Sequence, residues 1–321
     1  IAAWSGSRDY SLGGSQIIGN TAYAQGGGVY ANKKLIVADS TIKSNKVLRT
    51  DGNGKGGGIR LADGPELEIT NSAIADNEAD NGGGVHVDGN VSFHSGTVRG
   101  NAATKFGGGI YAGNGLTFED GTVTSNRAAE NGGGMYVAGS LTFAKGTVSS
   151  NEAVRYGGGS YLDGKNRSES SIIVGKFSGY EMTMNVVAED VKEDNTAREG
   201  TAASGGGGVY VTNSTFAFEG GEVSGNTASL TGGGMFIHKT AFTMSGGTVK
   251  DNTAARGEGG GIRFCADSDG LIQAGEGRQV SITGNRTDTT HDWGGGGIFV
   301  SQDGRLRIYN ALVTDNSAGG F

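Results

Sequence analysis

The sequence predicts an all-β fold, a parallel β-helix in which the chain winds around one long core. Units of about 25 residues follow one another between Gly82 and Tyr161, each beginning with three glycines, and a period of this length is typical of solenoids. Each unit contains three short segments in which apolar and polar residues alternate, as in half-buried strands. None of the segments between them has helical periodicity.

The three predicted strands of a unit differ in what they carry. The first follows the glycines and has two apolar residues around an outward one, as in 85–87. The second repeats this pattern, as in 116–118, and the third ends at a buried valine and an asparagine, as in 123–126. Asparagine tolerates the left-handed conformation and can bond its own backbone. We therefore expect it to close a corner of the coil, and the corner residues include Asn101, Asn126, Asn151, Asn226 and Asn252.

The glycine triplets and the corner asparagines recur along the whole chain. They predict about eleven coils of three strands in a single domain, residues 1–321, with uncapped ends. Loop insertions break the repeat at 46–55, 160–204 and 262–293. Loops on a rigid scaffold often carry function, so a binding function is expected at these breaks.

Two other repeat folds fit these units less well than the β-helix. A propeller blade needs about 40 to 50 residues and four antiparallel strands, which is longer than this period. A leucine-rich repeat would show its Leu/Asn consensus or a helix, and the units show neither. The period and the strand pattern therefore favour the coil.

The composition bears on the partners. The chain has a net charge of −7 and an isoelectric point near 5.2, so it offers no basic face to a phosphate backbone and we expect no nucleic-acid partner. It contains no long apolar run, so no membrane insertion is expected. One cysteine, Cys265, allows no internal disulfide. We expect no cofactor.

The turn units carry a family resemblance. Three glycines followed by an apolar and an aromatic residue, paired with Gly-Thr-Val-x-x-Asn-x-Ala as in 242–254, resemble the repeats of large bacterial surface β-helix proteins. They are also similar to the repeats of polymorphic outer-membrane autotransporter passengers, which alternate GGA[ILV] with FxxN; here GGG replaces GGA, and Val or Ile usually replaces the Phe. The resemblance implies a secreted or surface-displayed rod, and with the preference for right-handed crossovers it implies a right-handed coil.

An outward column follows the glycine turns and is the first candidate binding surface. Its members are Tyr30, Arg60, His86, Tyr111, Tyr136, Tyr161, Tyr210, Phe236, Arg263 and Phe299. Rings one coil apart could stack on sugar rings, with Tyr111, Tyr136 and Tyr161 at the centre of such a stripe. The alternative, which we favour, is a self-stacked ladder that supports the glycine corner.

Two loops offer further candidates. His291, Asp292 and Trp293 lie beside a glycine turn, where the indole ring could hold a sugar and the imidazole or carboxylate could accept a proton; a Trp that simply packs on the corner is the favoured alternative. The insertion 160–204 contains an acidic run at 189–199. Its spacing does not match a defined calcium loop, so we favour a solvated loop over a Ca²⁺ site and predict no metal.

The acids at strand ends argue against an enzyme. Polysaccharide lyases and hydrolases need carboxylates clustered on adjacent coils. Asp88 and Asp163 are three coils apart, and the neighbours Asp63 and Asp88 have no acidic partner in the next coil. We therefore expect a non-enzymatic extracellular or cell-surface scaffold or adhesin whose partners are glycans or a host or neighbouring-cell surface. The alternatives are a subunit that stacks head to tail on copies of itself in an extracellular filament, and a polysaccharide lyase or hydrolase.

Overall fold

The computed structural model describes residues 1–3, 9–63, 66–164, 174–183, 186–187, 205–265, 267–288 and 294–319. In these residues the chain forms 42 β-strands arranged in three sheets of 11, 20 and 11 strands. Strands one coil apart pair in parallel, for example Val85–Val87 with Ile110–Ala112. No helix long and apolar enough to cross a membrane occurs in the described part of the chain. The all-β parallel solenoid is confirmed.

Sheet 1 follows the glycine turns. Its strands are Ala2–Ala3, Val29–Ala31, Ile59–Leu61, Val85–Val87, Ile110–Ala112, Met135–Val137, Ser160–Asp163, Val209–Thr212, Met235–His238, Ile262–Phe264 and Ile298–Val300.

Sheet 2 contains the second and third strands of the coils. Its strands are Tyr10–Gly13, Gln16–Ile18, Leu35–Ala38, Thr41–Lys43, Glu66–Thr70, Ser72–Ala75, Asn90–Phe93, Gly96–Arg99, Gly115–Phe118, Thr122–Thr124, Ser140–Phe143, Gly146–Ser149, Val174–Thr183, Thr215–Ser224, Ala241–Met244, Gly247–Lys250, Asp269–Gln273, Val280–Thr283, Arg305–Tyr309 and Leu312–Thr314.

Sheet 3 follows the corner asparagines. Its strands are Thr21–Ala22, Lys46–Val47, Glu78–Asn81, Ala102–Phe106, Arg127–Ala128, Glu152–Ala153, Val186–Val187, Thr227–Ala228, Thr253–Ala254, Arg286–Thr287 and Ser317–Ala318.

The predicted count of eleven coils with three strands in each differs from the structure in detail. A regular coil contains four strands, as in Val85–Val87, Asn90–Phe93, Gly96–Arg99 and Ala102–Phe106. The prediction missed the strands of sheet 3, because most of them have two residues and a two-residue strand is too short to show alternation. Insertion 46–55 is described in full, whereas most of 160–204 lies outside the described residues.

The core is a single column of side chains inside the coils. Phe93, Phe118 and Phe143 are fully buried, and their rings stack at centroid distances of 4.6 and 4.4 Å. Each of these rings occupies the same position of its coil, since Phe93 pairs with Phe118 and Phe118 with Phe143 in the parallel register. Identical side chains therefore stack along the axis and keep the register of the coils fixed.

The asparagines have a different role from the predicted one. The left-handed residue is the one before the asparagine, as at Ser125 and Ser150, each with φ 56°. Asn126 is buried and points inside the coil, where its Nδ2 donates to the Val98 carbonyl at 3.0 Å and to Asn151 Oδ1 at 3.0 Å. The prediction that asparagine itself takes the left-handed conformation is thus wrong. The same bonds link Asn20, Asn45, Asn77 and Asn101 to Asn126, and a second run links Asn226, Asn252, Asn285 and Asn316; Asn195, between the two runs, lies outside the described residues.

The triplet has to be glycine because its backbone packs against the asparagine ladder with no room for a Cβ atom. Gly82 has a φ of 62°, in the left-handed region that favours glycine. A Cβ on Gly83 would lie 2.3 Å from the Ala102 carbonyl oxygen, and a Cβ on Gly84 would lie 3.0 Å from Cγ of Asn101. Glycine triplet and asparagine therefore form one structural unit: the backbone of the first packs directly on the amide of the second.

Candidate functional site

The outward column of sheet 1 forms a continuous stack of rings. The ring centroids of Tyr111 and Tyr136 are 5.0 Å apart and those of Tyr136 and Tyr161 are 4.9 Å apart, with interplanar angles of 2° and 10°. His86 extends the stack on one side, 4.2 Å from Tyr111, and Tyr210 extends it on the other, 4.9 Å from Tyr161. The geometry is that of the self-stacked ladder.

The stack limits what these tyrosines can bind. Both faces of the Tyr136 ring are occupied by its neighbours, and Phe106 covers it further at 5.2 Å. A sugar ring therefore cannot stack on these faces without displacing a tyrosine. Only the hydroxyl edges of the half-buried rings of Tyr111, Tyr136 and Tyr161 remain available, and burial raises the pKa of all three phenols, which keeps them neutral donors. Binding at these residues stays a prediction, restricted to that edge.

A polar cluster continues the column beyond the tyrosines, and two of its members, Arg60 and His86, are buried while Asp88 is 37% exposed. His86 Nε2 lies 3.2 Å from Asp88 Oδ1, and Arg60 contacts the other carboxylate oxygen of Asp88. Arg60 is itself buried and donates to the Leu61 carbonyl at 2.8 Å and to Gln25 Oε1 at 3.1 Å. Three partners, Gln25, Leu61 and Asp88, thus hold the Arg60 guanidinium in place.

The electrostatics of this cluster follow from its burial. Desolvation lowers the pKa of His86 to about 4, so the ring is neutral at pH 7. Burial by itself would raise the pKa of Asp88, but hydrogen bonds from His86 and Arg60 hold that pKa below its ordinary value. Asp88 is one of the three strand-end acids, with Asp63 and Asp163, and in the structure its carboxylate contacts His86 and Arg60 and lies 3.8 Å from Lys55 Nζ.

The second predicted binding site falls outside the described residues. It consists of His291, Asp292 and Trp293, and the acidic run 189–199 also lies outside the described residues. Among the residues that are described, no group of three or more His, Cys, Asp or Glu side chains is placed to hold a metal ion.

The insertion 46–55, one of the three breaks at which a binding function is expected, forms the wall of a groove on sheet 3. The groove has a volume of about 260 Å³. It is lined by Lys46, Val47, Arg49, Thr50, Glu78, Ala79, Asp80, Ala102, Ala103, Thr104, Arg127 and Ala129. The break in the repeat indicates the insertion, but the lining residues of the following coils lie 28 to 83 positions further along the chain and have no signal of their own.

Comparison with known proteins adds no relative. No protein-family model, curated protein or solved structure matches the chain. The interpretation of the site therefore rests on its geometry.

Proposed function

We propose that the chain is a non-enzymatic extracellular or cell-surface scaffold or adhesin, a right-handed parallel β-helix of about eleven coils that displays binding loops along its sides. One observation carries the proposal: side chains of the same type bond or stack from coil to coil, as Asn101, Asn126 and Asn151 do with Oδ1 acceptors at 2.9 and 3.0 Å. Such an array holds its shape over its whole length, because every coil is fixed by its two neighbours.

A rod of this kind suits display at a distance from a surface. At about 4.8 Å per coil its length is roughly 50 Å. The regular coils leave little freedom for new sites, whereas the insertions vary in length without disturbing the ladders. Its resemblance to bacterial surface repeats supports placement outside the cell, and glycans or a host or neighbouring-cell surface are the proposed partners.

The test is binding of the purified chain to immobilised glycans and to intact bacterial and animal cells. The proposal expects saturable binding that a heat-unfolded sample lacks, together with no product release from a broad panel of polysaccharides. Turnover of any polysaccharide would favour the lyase or hydrolase instead. If the chain binds none of the glycans and none of the cell types, the adhesin proposal is contradicted.

A second candidate, the end-to-end filament, is favoured by the direction of the asparagine ladder. Where two consecutive corner asparagines are both described, the first donates to the second, as Asn20 does to Asn45 and Asn285 to Asn316. Within the described residues, Asn20 Oδ1 receives no donor, and the backbone N–H of Asn316 has no acceptor. In an end-to-end filament, the N–H of Asn316 in one copy would donate to Asn20 Oδ1 of the next.

Exposed apolar residues occur at the same two coils. Ile18 and Tyr23 are 51% and 76% exposed, and Leu312 and Val313 are 59% and 45% exposed. Val313 aligns with the fully buried Ile282 of the preceding coil, so a further coil of the same repeat would cover it. Sedimentation velocity over a range of concentrations tests the filament: rods should lengthen with concentration, and Leu312→Lys should prevent this. A monomer at every concentration would refute it.

A further inference from the structure

The wall of the sheet 3 groove is held rigidly. The buried carboxylate of Asp80 accepts hydrogen bonds from the backbone N–H groups of Gly52 at 2.8 Å and Gly54 at 2.9 Å, and from the Thr104 hydroxyl. Asn81 Nδ2 donates to the Gly52 carbonyl at 3.0 Å. The insertion is thus tied at three backbone groups to the coil below it, so a ligand would not need to order the loop.

The groove exists because one outward position of sheet 3 carries a small residue. In the parallel register Glu78 pairs with Ala102, and Ala102 pairs with Arg127. The methyl group of Ala102 leaves a gap between two long charged side chains. Val47, Ala79, Ala103 and Ala129 also line the groove and give it an apolar floor.

Two guanidinium groups with unused donors line this gap. Arg49 binds Asp51 through Nε at 2.8 Å and Nη2 at 2.7 Å, which orients the group and leaves Nη1 without a partner among the described residues. Arg127 donates through Nε to Glu152 at 3.1 Å, and neither of its Nη atoms has a partner in the described part of the chain. Two acids line the groove as well: Glu78 is paired with Lys46, and the carboxylate of Asp80 is occupied by Gly52, Gly54 and Thr104.

We propose that this groove binds a sugar that carries a carboxylate, a hexuronic acid. Its carboxylate would take the planar guanidinium donors of Arg49 and Arg127, which match a carboxylate in pairs. Its ring would lie on the alanine floor, and Thr50 would meet a ring hydroxyl. The 260 Å³ of the groove is near the lower limit for small-molecule sites and suits one monosaccharide rather than a longer chain.

The inference deepens the proposed display function and rests on it for its biological meaning, since an adhesin with this site would recognise acidic glycans. The two can fail separately. Binding to a glycan array that survives loss of the groove would leave the adhesin standing and refute the site. Binding of free hexuronate without any binding to glycan arrays or cells would support the site and refute the adhesin.

The experiment is an NMR titration of the intact chain with D-galacturonate and D-glucuronate. D-galactose and D-glucose serve as the sugars without a carboxylate, and acetate as the carboxylate without a ring. We expect at least one uronate to bind at least about tenfold more tightly than its neutral counterpart and than acetate, because charged hydrogen bonds are worth more than about 1.4 kcal/mol. Equal binding of acetate, or of the neutral sugars, would overturn the proposal, as would no binding of either uronate.

Variants locate the site. Arg127→Gln and Arg49→Gln should each weaken uronate binding about tenfold or more, and Ala102→Leu should abolish it by filling the gap. Arg286→Gln is the matched control, because Arg286 opens a strand of sheet 3 as Arg127 does and its side chain is 57% exposed against 62%. Unchanged binding in Arg127→Gln and Ala102→Leu, with thermal unfolding like that of the control, would place the uronate elsewhere and refute the assignment.

Discussion

Replacing Asn126 by alanine tests whether the internal ladder holds the coils together. The side chain makes four hydrogen bonds: Oδ1 accepts from the backbone N–H of Asn101 at 3.0 Å and from its amide at 2.9 Å, and Nδ2 donates to Val98 and to Asn151. Alanine leaves the Asn101 N–H buried without this acceptor, at about 1–3 kcal/mol, and removes three further bonds of about 0.5–1.5 kcal/mol each. We expect a loss of about 3–6 kcal/mol in the free energy of unfolding.

The assay is urea unfolding followed by far-UV circular dichroism, with the midpoint and the slope both fitted, since a repeat array can depart from two-state behaviour. Asn90→Ala is the control. Its Oδ1 accepts from Asn114 Nδ2 at 2.9 Å, also between neighbouring coils, but on the exposed surface. The control should lose less than about 1 kcal/mol. If the two variants are equally stable, the ladder is not what holds the coils.

Three further predictions concern the pH response, the glycine triplet and the ring stack. Burial lowers the pKa of His86 from 6.5 to about 4, so its contribution to the free energy of unfolding is complete above pH 6.5 and falls by on the order of 3 kcal/mol as the pH is lowered to 4. Urea unfolding at several pH values should show this loss in the wild type and not in His86→Gln. A wild-type stability that does not change with pH would contradict it. Gly84→Ala should lower the free energy of unfolding by more than about 3 kcal/mol, because the new Cβ would lie 2.6 Å from a backbone oxygen. Gly220→Ala is the control: a Cβ there meets open space, so thermal unfolding should change little. Equal effects of the two variants would refute the packing argument. Tyr136→Phe should keep the ring stack and its near-UV circular dichroism signal. Tyr136→Leu should lose that signal, and its free energy of unfolding in urea should fall by about 1–3 kcal/mol. A leucine variant as stable as the phenylalanine variant would contradict this prediction.

The coil could be predicted from the sequence because its strongest constraints are local in the repeat. Apolar residues alternate within each strand, and glycine triplets recur at a fixed spacing, so strand and turn positions are visible without knowing what they contact. The fourth strand was missed for the opposite reason. Arg127–Ala128 has two residues and is a strand because it pairs with the coils on both sides, at Ala102–Ala103 and at Glu152–Ala153.

The direction of the asparagines could not be predicted from local preferences alone. Their frequency at corners suggested a turn residue, and Ser125 occupies the left-handed position instead. What decides the orientation of Asn126 is a carbonyl 28 residues back, at Val98, and an amide 25 residues ahead, at Asn151. A contact at that separation leaves no trace in the local alternation, although the strict recurrence of the asparagine was itself the signal of a ladder.

The groove lies where the ladders impose the least constraint. Where a ladder runs, inward positions of adjacent coils carry the same residue, as Phe93 and Phe118 do, because a ring or an amide stacks on its own kind in the next coil. Outward positions of sheet 3 need not match, and in successive coils they carry Lys46, Glu78, Ala102 and Arg127. A single alanine there opens a gap without altering any internal bond. Because the insertion is anchored through Asp80 rather than through the ladder, a binding site can change in such a fold while the rod that carries it stays the same.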